Sequence, residues 1–399
     1  MAERNKKSFK GLLRVATCGI VLLGILAFSL DLFAASREPA GPQIIAYVFT
    51  RGQVLQPGQI AAQRVTRINY AFANIKDGVI VDGYPDDAAN YAALNALKQQ
   101  NPSLKVLASV GGWLWSRNFS DAVLTKQSRQ IFIDSVIAFI ERYKLDGLDI
   151  DWEYPGQVGA GNHFRPEDKQ NYTAVLKELR QRFDREGKKL HRRLYLSIAT
   201  GTNADFLAHT EMGKAQKYVD TVNLMAYDFY EPGSEPTTGA NAPLFTNPRD
   251  PKHESADQAV LAYEAAGVPA AKIVLGVPFY GHEWGQVPPQ NHGLFQPGKP
   301  VPGAFANYGN ITSTMLKPGS GFVRYWDTDS AVPYLYNASS QIFVSYDDPQ
   351  SMALKCRYVI DHRLAGVMFW DYMGDPTGAL LDAIDSTLLL GEPTKAHTR

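Results

Sequence analysis

The segment Asp146-Gly-Leu-Asp-Ile-Asp-Trp-Glu153 alternates acidic and large apolar side chains. Successive side chains of an extended strand point to opposite faces, so Asp149, Asp151 and Glu153 share one face and the apolar residues share the other. The segment therefore predicts a strand that packs one face against apolar neighbours and gathers three carboxyl groups on the other.

Seven further apolar runs rich in β-branched residues suit buried parallel strands. Amphipathic stretches lie between the runs, most clearly at Lys126–Lys144 and Glu167–Glu186. Strands that alternate with helices in this way predict an α/β fold, a (β/α)8 TIM barrel with its active site at the C-terminal ends of the strands. A doubly wound open sheet is the alternative, but no glycine-rich phosphate loop follows the first run. The eight runs cover residues 44–49, 67–72, 105–110, 147–152, 194–200, 221–225, 273–278 and 366–370.

Residues 285–345 depart from this repeat, because they are rich in Gly, Pro and aromatic residues and lack a long helical stripe. The stretch is too long for an ordinary loop. It predicts a small α+β insertion between strands 7 and 8, with short strands around Phe322–Trp326 and Gln341–Tyr346. We expect the catalytic barrel domain to span residues 41–390 and residues 391–399 to form a disordered tail.

Residues 1–36 have the composition of an export signal. Basic residues precede an apolar run at residues 15–30, and small residues follow it. This order predicts a signal peptide, or a membrane anchor through residues 15–33 if the leader is not cleaved. We therefore expect a secreted or extracytoplasmic protein. Of the two cysteines, only Cys356 lies outside the leader, so no disulfide forms within the remaining chain.

The charge balance limits the choice of partners. The chain has 40 basic and 40 acidic residues, so it offers no broad positive field for a phosphate backbone, and nucleic acid is excluded as a partner. No protein partner is implied. A calcium loop is one alternative for the acidic segment, but the turn glycine and the later bidentate Glu are missing. We expect no metal and no cofactor.

The spacing of the three acids predicts their ionisation. Residues on one face of a strand are roughly 6.6 Å apart, so Asp151 lies beside Glu153 and Asp149 lies deeper in the barrel. Desolvation and like-charge repulsion raise carboxyl pKa values, so the outermost acid, Glu153, stays protonated near neutral pH. A proton donor needs that state. A solvated acidic edge strand is the competing interpretation.

The segment Asp146–Pro155 resembles the signature of the glycoside hydrolase family 18 chitinases. Other segments resemble motifs of the same family in the same order, and the resemblance covers residues 43–385. The insertion resembles the small α+β domain that deepens the cleft in one branch of the family. The matching segments are Asn69–Phe72, Ser109–Trp113, Met225–Asp228, Pro278–Gly281 and Gly366–Trp370.

The resemblance implies a substrate-assisted mechanism that retains the anomeric configuration. Glu153 would protonate the glycosidic oxygen while the N-acetyl carbonyl oxygen of the substrate attacks the anomeric carbon, so no protein carboxylate is the nucleophile. Asp151 would orient the acetamido group, and Asp149 would hold a proton in reserve for Asp151. Tyr227 would donate a hydrogen bond to the acetamido oxygen.

The resemblance also implies the residues that bind the sugar. Asp228 would contact the distorted sugar, and the indole of Trp370 would form the floor beneath it. Barrel-core packing is the competing interpretation for several of the others. His282 stands where many relatives carry Arg, which weakens one expected sugar contact. The further substrate-binding residues are Tyr47, Phe72, Gly112, Trp113, Tyr154, Met225 and Tyr280.

These features together predict a chitinase that hydrolyses β-1,4 bonds between N-acetylglucosamine units of chitin or chitooligosaccharides. One alternative is an endo-β-N-acetylglucosaminidase that acts on glycans or peptidoglycan. The other is a non-catalytic chitin-binding lectin on the same fold. Soluble oligosaccharides are favoured over crystalline chitin, because the sequence contains no separate carbohydrate-binding module.

Overall fold

The structure is a computed structural model that describes residues 41–304 and 306–390. The predicted leader at residues 1–36 and the predicted tail at residues 391–399 lie outside the described residues. Among the residues described, no helix combines the length and the apolar character needed to cross a membrane.

Eight parallel strands form a closed barrel in the order β1-β14-β8-β7-β6-β5-β4-β2, and β1 also pairs with β2. The predicted (β/α)8 TIM barrel is therefore confirmed, and all eight predicted runs correspond to barrel strands. The short strand β3 extends β2 as an antiparallel hairpin outside the barrel. The barrel strands and β3 are β1 Gln43–Phe49, β2 Arg67–Lys76, β3 Val79–Val81, β4 Lys105–Gly111, β5 Gly147–Asp151, β6 Tyr195–Thr200, β7 Thr221–Leu224, β8 Ile273–Pro278 and β14 Gly366–Trp370.

The two predicted crossover helices are present. The first, α3, begins after Thr125, which forms a capping box with Ser128, and ends before Lys144 in the left-handed region. The second, α4, runs four residues beyond its predicted end, and a Cβ on Gly187 would lie 2.6 Å from the carbonyl oxygen of Arg192. The α-helices are α1 Asp87–Ala96, α2 Phe119–Ala122, α3 Lys126–Tyr143, α4 Asp168–Leu190, α5 Ala204–Ala208, α6 Met212–Ala215, α7 Ala256–Ala265, α8 Tyr308–Asn310, α9 Pro349–Asp361 and α10 Ala379–Leu390.

A second, antiparallel sheet lies between barrel strands β8 and β14, in the order β10-β9-β13-β12-β11. It begins at His282, three residues before the predicted start of the insertion. The sequence predicted strands only near β11 and β13, so β9, β10 and β12 are further strands of this sheet. In the structure, β13 pairs only with Tyr334–Asn337, so Pro333 lies beyond the end of that ladder. The strands are β9 His282–Gly285, β10 Lys299–Pro300, β11 Val323–Asp327, β12 Val332–Asn337 and β13 Ile342–Ser345.

The apolar face of β5 anchors the acidic segment. Leu148 and Ile150 are fully buried, and Trp152, just beyond the strand, is 1% exposed. The Trp152 ring stacks on Phe119 at 5.1 Å and also contacts Tyr172 at 5.8 Å. Burial of each such side chain contributes roughly 1.5–3 kcal/mol to folding. This packing fixes the strand from behind, so the carboxyl groups on its other face have defined positions.

Candidate active site

Asp149 lies at the bottom of the acidic row and is fully buried. Its Oδ2 accepts hydrogen bonds from Tyr47 at 2.9 Å and Ser109 at 2.8 Å. Its Oδ1 accepts from Ser197 at 2.6 Å and from the Asn223 amide at 3.2 Å. Burial raises the pKa of Asp149, whereas these donors act in the opposite direction and favour its charged form.

Asp151 lies one layer higher, where it lines a cleft of about 760 Å³ at the C-terminal end of the barrel. It is 3% exposed, and its Oδ1 has no hydrogen-bond partner among the described residues. Burial and the charges of Glu153 and Asp149 raise the pKa of Asp151 well above its ordinary value. A buried carboxylate oxygen without a donor is costly, which indicates that a donor from a bound ligand completes the site.

Glu153 follows β5 and lines the same cleft. Its backbone N–H donates to the Ser116 hydroxyl at 3.3 Å, and that hydroxyl donates to the Asp151 carbonyl at 2.7 Å. Burial, and then the charges of Asp228 and Glu231, raise the pKa of Glu153 to about 8. The carboxyl group is therefore largely protonated at neutral pH, which is the state required of a proton donor.

The loop after β4 approaches the end of β5 closely because it begins with two glycines. A Cβ on Gly111 would lie 2.2 Å from the Asp151 carbonyl oxygen, and a Cβ on Gly112 would lie 2.7 Å from the Phe72 ring. The Gly112 N–H donates to the same Asp151 carbonyl at 2.9 Å. The glycine pair in Ser109–Trp113 thus lets β4 and β5 hold Asp151 and Glu153 in place.

A group of polar residues lies opposite the acidic row, on the segments after β7 and β8. Tyr227 lines the cleft, and burial together with the charge of Asp151 raises its pKa well above the ordinary value. Asp228 accepts hydrogen bonds on Oδ1 from the Tyr280 hydroxyl at 2.5 Å and from the His282 Nε2 at 2.8 Å. Tyr227 and Asp228 both line the cleft, and these hydrogen bonds fix the orientation of Asp228.

Aromatic rings cover one wall of the cleft. The Trp370 ring stacks with Phe49 at 5.6 Å and with Phe72 at 5.3 Å, and it contacts Tyr47 at 6.0 Å. Trp113, which is 55% exposed, marks the other end and packs edge-on against Tyr154. Apolar ring faces beside hydrogen-bonding groups suit a sugar, which has C–H faces and hydroxyl edges.

A family model described as glycosyl hydrolases family 18 matches residues 43–375. The chain belongs to this family. Chitinase A1 of Niallia circulans is 34% identical, over 92% of this chain, and the chain spans 63% of that relative's length. Chitinase 1 of Aphanocladium album is 31% identical, over 84% of this chain and 81% of its own length. A family 18 N-acetylglucosaminidase from Paenibacillus barengoltzii superposes with a TM-score of 0.80 at 37% identity, over 87% of this chain and 100% of that one.

This family 18 protein is therefore a glycoside hydrolase of chitinase-like type. Its cleft brings together most of the residues predicted from the sequence. Three others lie just outside the lining: Asp149 lies beneath Asp151, Tyr154 lies behind Trp113, and Tyr280 lies behind Asp228. The predicted residues that line the cleft are Tyr47, Phe72, Gly112, Trp113, Asp151, Glu153, Met225, Tyr227, Asp228 and Trp370.

Sequence reasoning missed several residues of this family 18 site. Arg67 is buried within the barrel and donates to Thr221 and Asn223, and its charge lowers the pKa of Asp149. A charged residue at the start of an otherwise apolar strand was the available signal. Phe49 ends β1, and Tyr84, Trp115 and Glu231 lie outside the barrel strands; no family motif marked any of the four.

One grouping in this hydrolase has metal-ligand residue types. Asp228, Glu231 and His282 each offer an atom within 4.8 Å of the others. Two of the three are exposed, and Asp228 Oδ1 already accepts hydrogen bonds from His282 and Tyr280. Hydrogen bonding accounts for this grouping, and we assign no metal to it.

Proposed function

We propose that this chain is a chitinase that hydrolyses β-1,4 bonds between N-acetylglucosamine units with retention of configuration. Glu153 is the general acid and base in this proposal. The N-acetyl group of the substrate is the nucleophile, so the reaction needs no covalent bond to the protein.

The observation that carries the proposal is the state of Asp151. Its carboxyl group is buried beside Glu153, and its Oδ1 has no partner among the described residues. An acetamido N–H entering the cleft supplies the missing donor. A sugar with a 2-hydroxyl group has a weaker donor and no carbonyl oxygen to attack the anomeric carbon. The substrate class that fits Asp151 is therefore an N-acetylated sugar.

The first step balances within the enzyme and the sugar. The Glu153 proton moves to the glycosidic oxygen as the bond from that oxygen to the anomeric carbon breaks. The acetamido carbonyl oxygen forms a bond to the same carbon, and the resulting oxazolinium carries a positive charge beside Asp151. In the second step Glu153 takes a proton from water, and the water oxygen attacks the anomeric carbon. The bond from that carbon to the acetamido oxygen breaks, which opens the oxazolinium ring and restores the acetamido group. Two inversions give net retention.

The remaining cleft residues bind and distort the sugar in this proposal. Tyr227 donates to the acetamido oxygen and aligns it for attack. Trp370 offers a flat apolar face to the C–H groups of the reacting sugar, and Trp113 contacts the next sugar on the product side. Asp228, oriented by Tyr280, contacts the distorted ring. Asp149 lies beneath Asp151 and holds a proton in reserve for it.

The substrate-assisted step is tested with chitohexaose and its fully deacetylated counterpart. We expect cleavage of chitohexaose only, with the β-anomer as the first product in a proton NMR time course, because the deacetylated sugar lacks the attacking carbonyl. Comparable cleavage of both, or an α-anomer as the first product, would overturn the proposed mechanism.

A second candidate is an enzyme that releases single N-acetylglucosamine units, as the name of the Paenibacillus barengoltzii relative indicates for that protein. Early products from chitohexaose separate the two. Mixed dimers, trimers and tetramers support the chitinase, whereas monomer alone supports the second candidate. Cleavage of a high-mannose glycopeptide alone would indicate an endo-β-N-acetylglucosaminidase, and binding without turnover would indicate a lectin.

We also propose that residues 1–36 export the chain or tether it to a membrane. Their basic start and apolar run support this proposal. N-terminal sequencing of the protein from the medium and from the membrane fraction tests it. A start near residue 36 in the medium indicates cleavage, and an intact chain in the cytosol contradicts export.

A further inference from the structure

The loop after β7 holds Glu231 at the rim of the cleft. The preceding residue, Tyr230, is 1% exposed, and its ring lies against Gly239 and below the Lys252 ammonium at 5.0 Å. The Glu231 carbonyl accepts a hydrogen bond from the Glu235 N–H at 2.9 Å. Anchors on both sides fix the loop, so the Glu231 carboxylate has a defined place in the cleft lining.

Within the described residues, no lysine or arginine forms an ion pair with Glu231. Lys252 is the nearby lysine, but its ammonium contacts Glu235 at 2.7 Å, Glu254 at 3.3 Å and the Phe229 carbonyl at 2.7 Å. The cleft lining within the described residues contains four acids and neither Lys nor Arg. His282 lies beside Glu231 and Asp228, and its Nε2 donates a hydrogen bond to Asp228 Oδ1 at 2.8 Å.

Among the described residues that line the cleft, the charged side chains beside Glu153 are all acidic. Asp151 lies below it, Asp228 lies opposite it, and Glu231 lies at the rim of the same cleft. A carboxyl group among carboxylates keeps its proton to higher pH. Asp228 also orients the substrate, whereas Glu231 is exposed and makes no hydrogen bond that orients another cleft residue among those described.

We propose that Glu231 is a positioning residue that acts through Glu153, because its negative charge keeps the catalytic proton on that acid. This inference rests on the proposed role of Glu153. The charge of the Glu231 side chain, rather than its shape, keeps the proton on Glu153. The same charge acts on the pKa of Glu153, after burial and Asp228. Burial, Asp228 and Glu235 also raise the pKa of Glu231 itself, and the positive charges of His282 and Lys252 oppose that rise.

A charge series at this position tests the inference. The pH profile of kcat/KM on a chitooligosaccharide reports the free enzyme, and its upper midpoint reports loss of the Glu153 proton. We expect Glu231→Gln to move that midpoint down by about half a pH unit, since the carboxylate is exposed and solvent screens it. Glu231→Lys should move it further in the same direction, and Glu231→Asp should keep it near the original position.

Glu235→Gln is the matched control, because Glu235 lies on the same loop but pairs with Lys252. We expect its midpoint to stay in place. Addition of about 1 M salt should reduce the difference in the upper pH midpoint between Glu231→Gln and the parent enzyme. An unshifted midpoint in both Glu231→Gln and Glu231→Lys would contradict this inference while the parent enzyme remains active. An inactive parent enzyme would instead contradict the proposed function.

Discussion

The two acidic residues of β5 and Glu153, which follows the strand, differ in the hydrogen bonds and charges around them. Asp149 accepts four hydrogen bonds, whereas Asp151, one layer higher, lacks a partner on Oδ1. Glu153 is surrounded by further carboxylates and keeps its proton. The three carboxyl groups thus differ in depth and in hydrogen bonding, and these differences give each residue a different chemical task.

The pH dependence of catalysis tests the state of Glu153. The acid is active when protonated, so kcat/KM is maintained below the pKa and falls as pH rises through about 8. Stability has the same sign, because a carboxyl group whose pKa is raised by folding disfavours the folded state as pH rises above its unfolded value. Between pH 5 and pH 9, the melting temperature should therefore fall more for the parent enzyme than for Glu153→Gln. An equal fall in the melting temperatures of both proteins would contradict burial as the main cause of the raised pKa of Glu153.

Asp151→Asn tests the unpartnered oxygen. The variant removes the charge beside the oxazolinium and should lower kcat at least about 100-fold, since electrostatic contacts of this kind are worth that much. Its melting temperature should stay the same or rise, because a buried charge is removed. Activity and calorimetry on the same preparation provide the measurement. A loss of activity that accompanied unfolding would indicate a structural role instead.

At the scale of elements, the close contact between β4 and β5 positions the site. Gly111 has a φ of 114° and leaves no room for a side chain beside Asp151. We expect Gly111→Ala to lower the free energy of unfolding by about 3 kcal/mol or more, through overlap and backbone strain together. Denaturant unfolding provides the measurement.

Gly319→Ala is the control for backbone strain. Its φ is 84°, but nothing lies within 4 Å of an added Cβ. Strain alone should cost about 1–2 kcal/mol. Equal costs at the two glycines would show that close packing against β5 is unimportant.

The sequence predicted the elements with a strong local pattern. All eight barrel strands follow from runs of apolar residues, and helix α3 follows from the amphipathic stretch at Lys126–Lys144. Strand β12 was not predicted, and its place between β11 and β13 in the second sheet depends on pairing with strands that lie apart in the sequence. The roles of Arg67 and Glu231 depend on contacts between residues that lie far apart in the sequence. A local sequence pattern does not predict such contacts.

At the scale of the whole molecule, a buried ion pair joins the end of the second sheet to the barrel. Asp347 follows β13, and its carboxylate contacts the Lys355 ammonium on α9 at 2.6 Å, with both side chains 1% exposed. Burial raises the pKa of Asp347 and lowers that of Lys355, so each charge depends on the other. Ser351 donates a further hydrogen bond to Asp347.

Breaking this pair should destabilise the enzyme. We expect Lys355→Met to cost about 3–5 kcal/mol in denaturant unfolding, because Asp347 is left buried without its partner. The double variant Lys355→Met with Asp347→Asn should recover most of that loss. A neutral single variant, or a double variant that is no better, would contradict a coupled buried pair.

The central claim is that Glu153 donates the proton that breaks the glycosidic bond, and its removal tests this most directly. Glu153→Gln keeps the size of the side chain and removes the proton. Turnover of chitohexaose, measured beside calorimetric binding of the same sugar, should fall at least about 100-fold while binding persists. Unchanged turnover with intact binding would contradict the account.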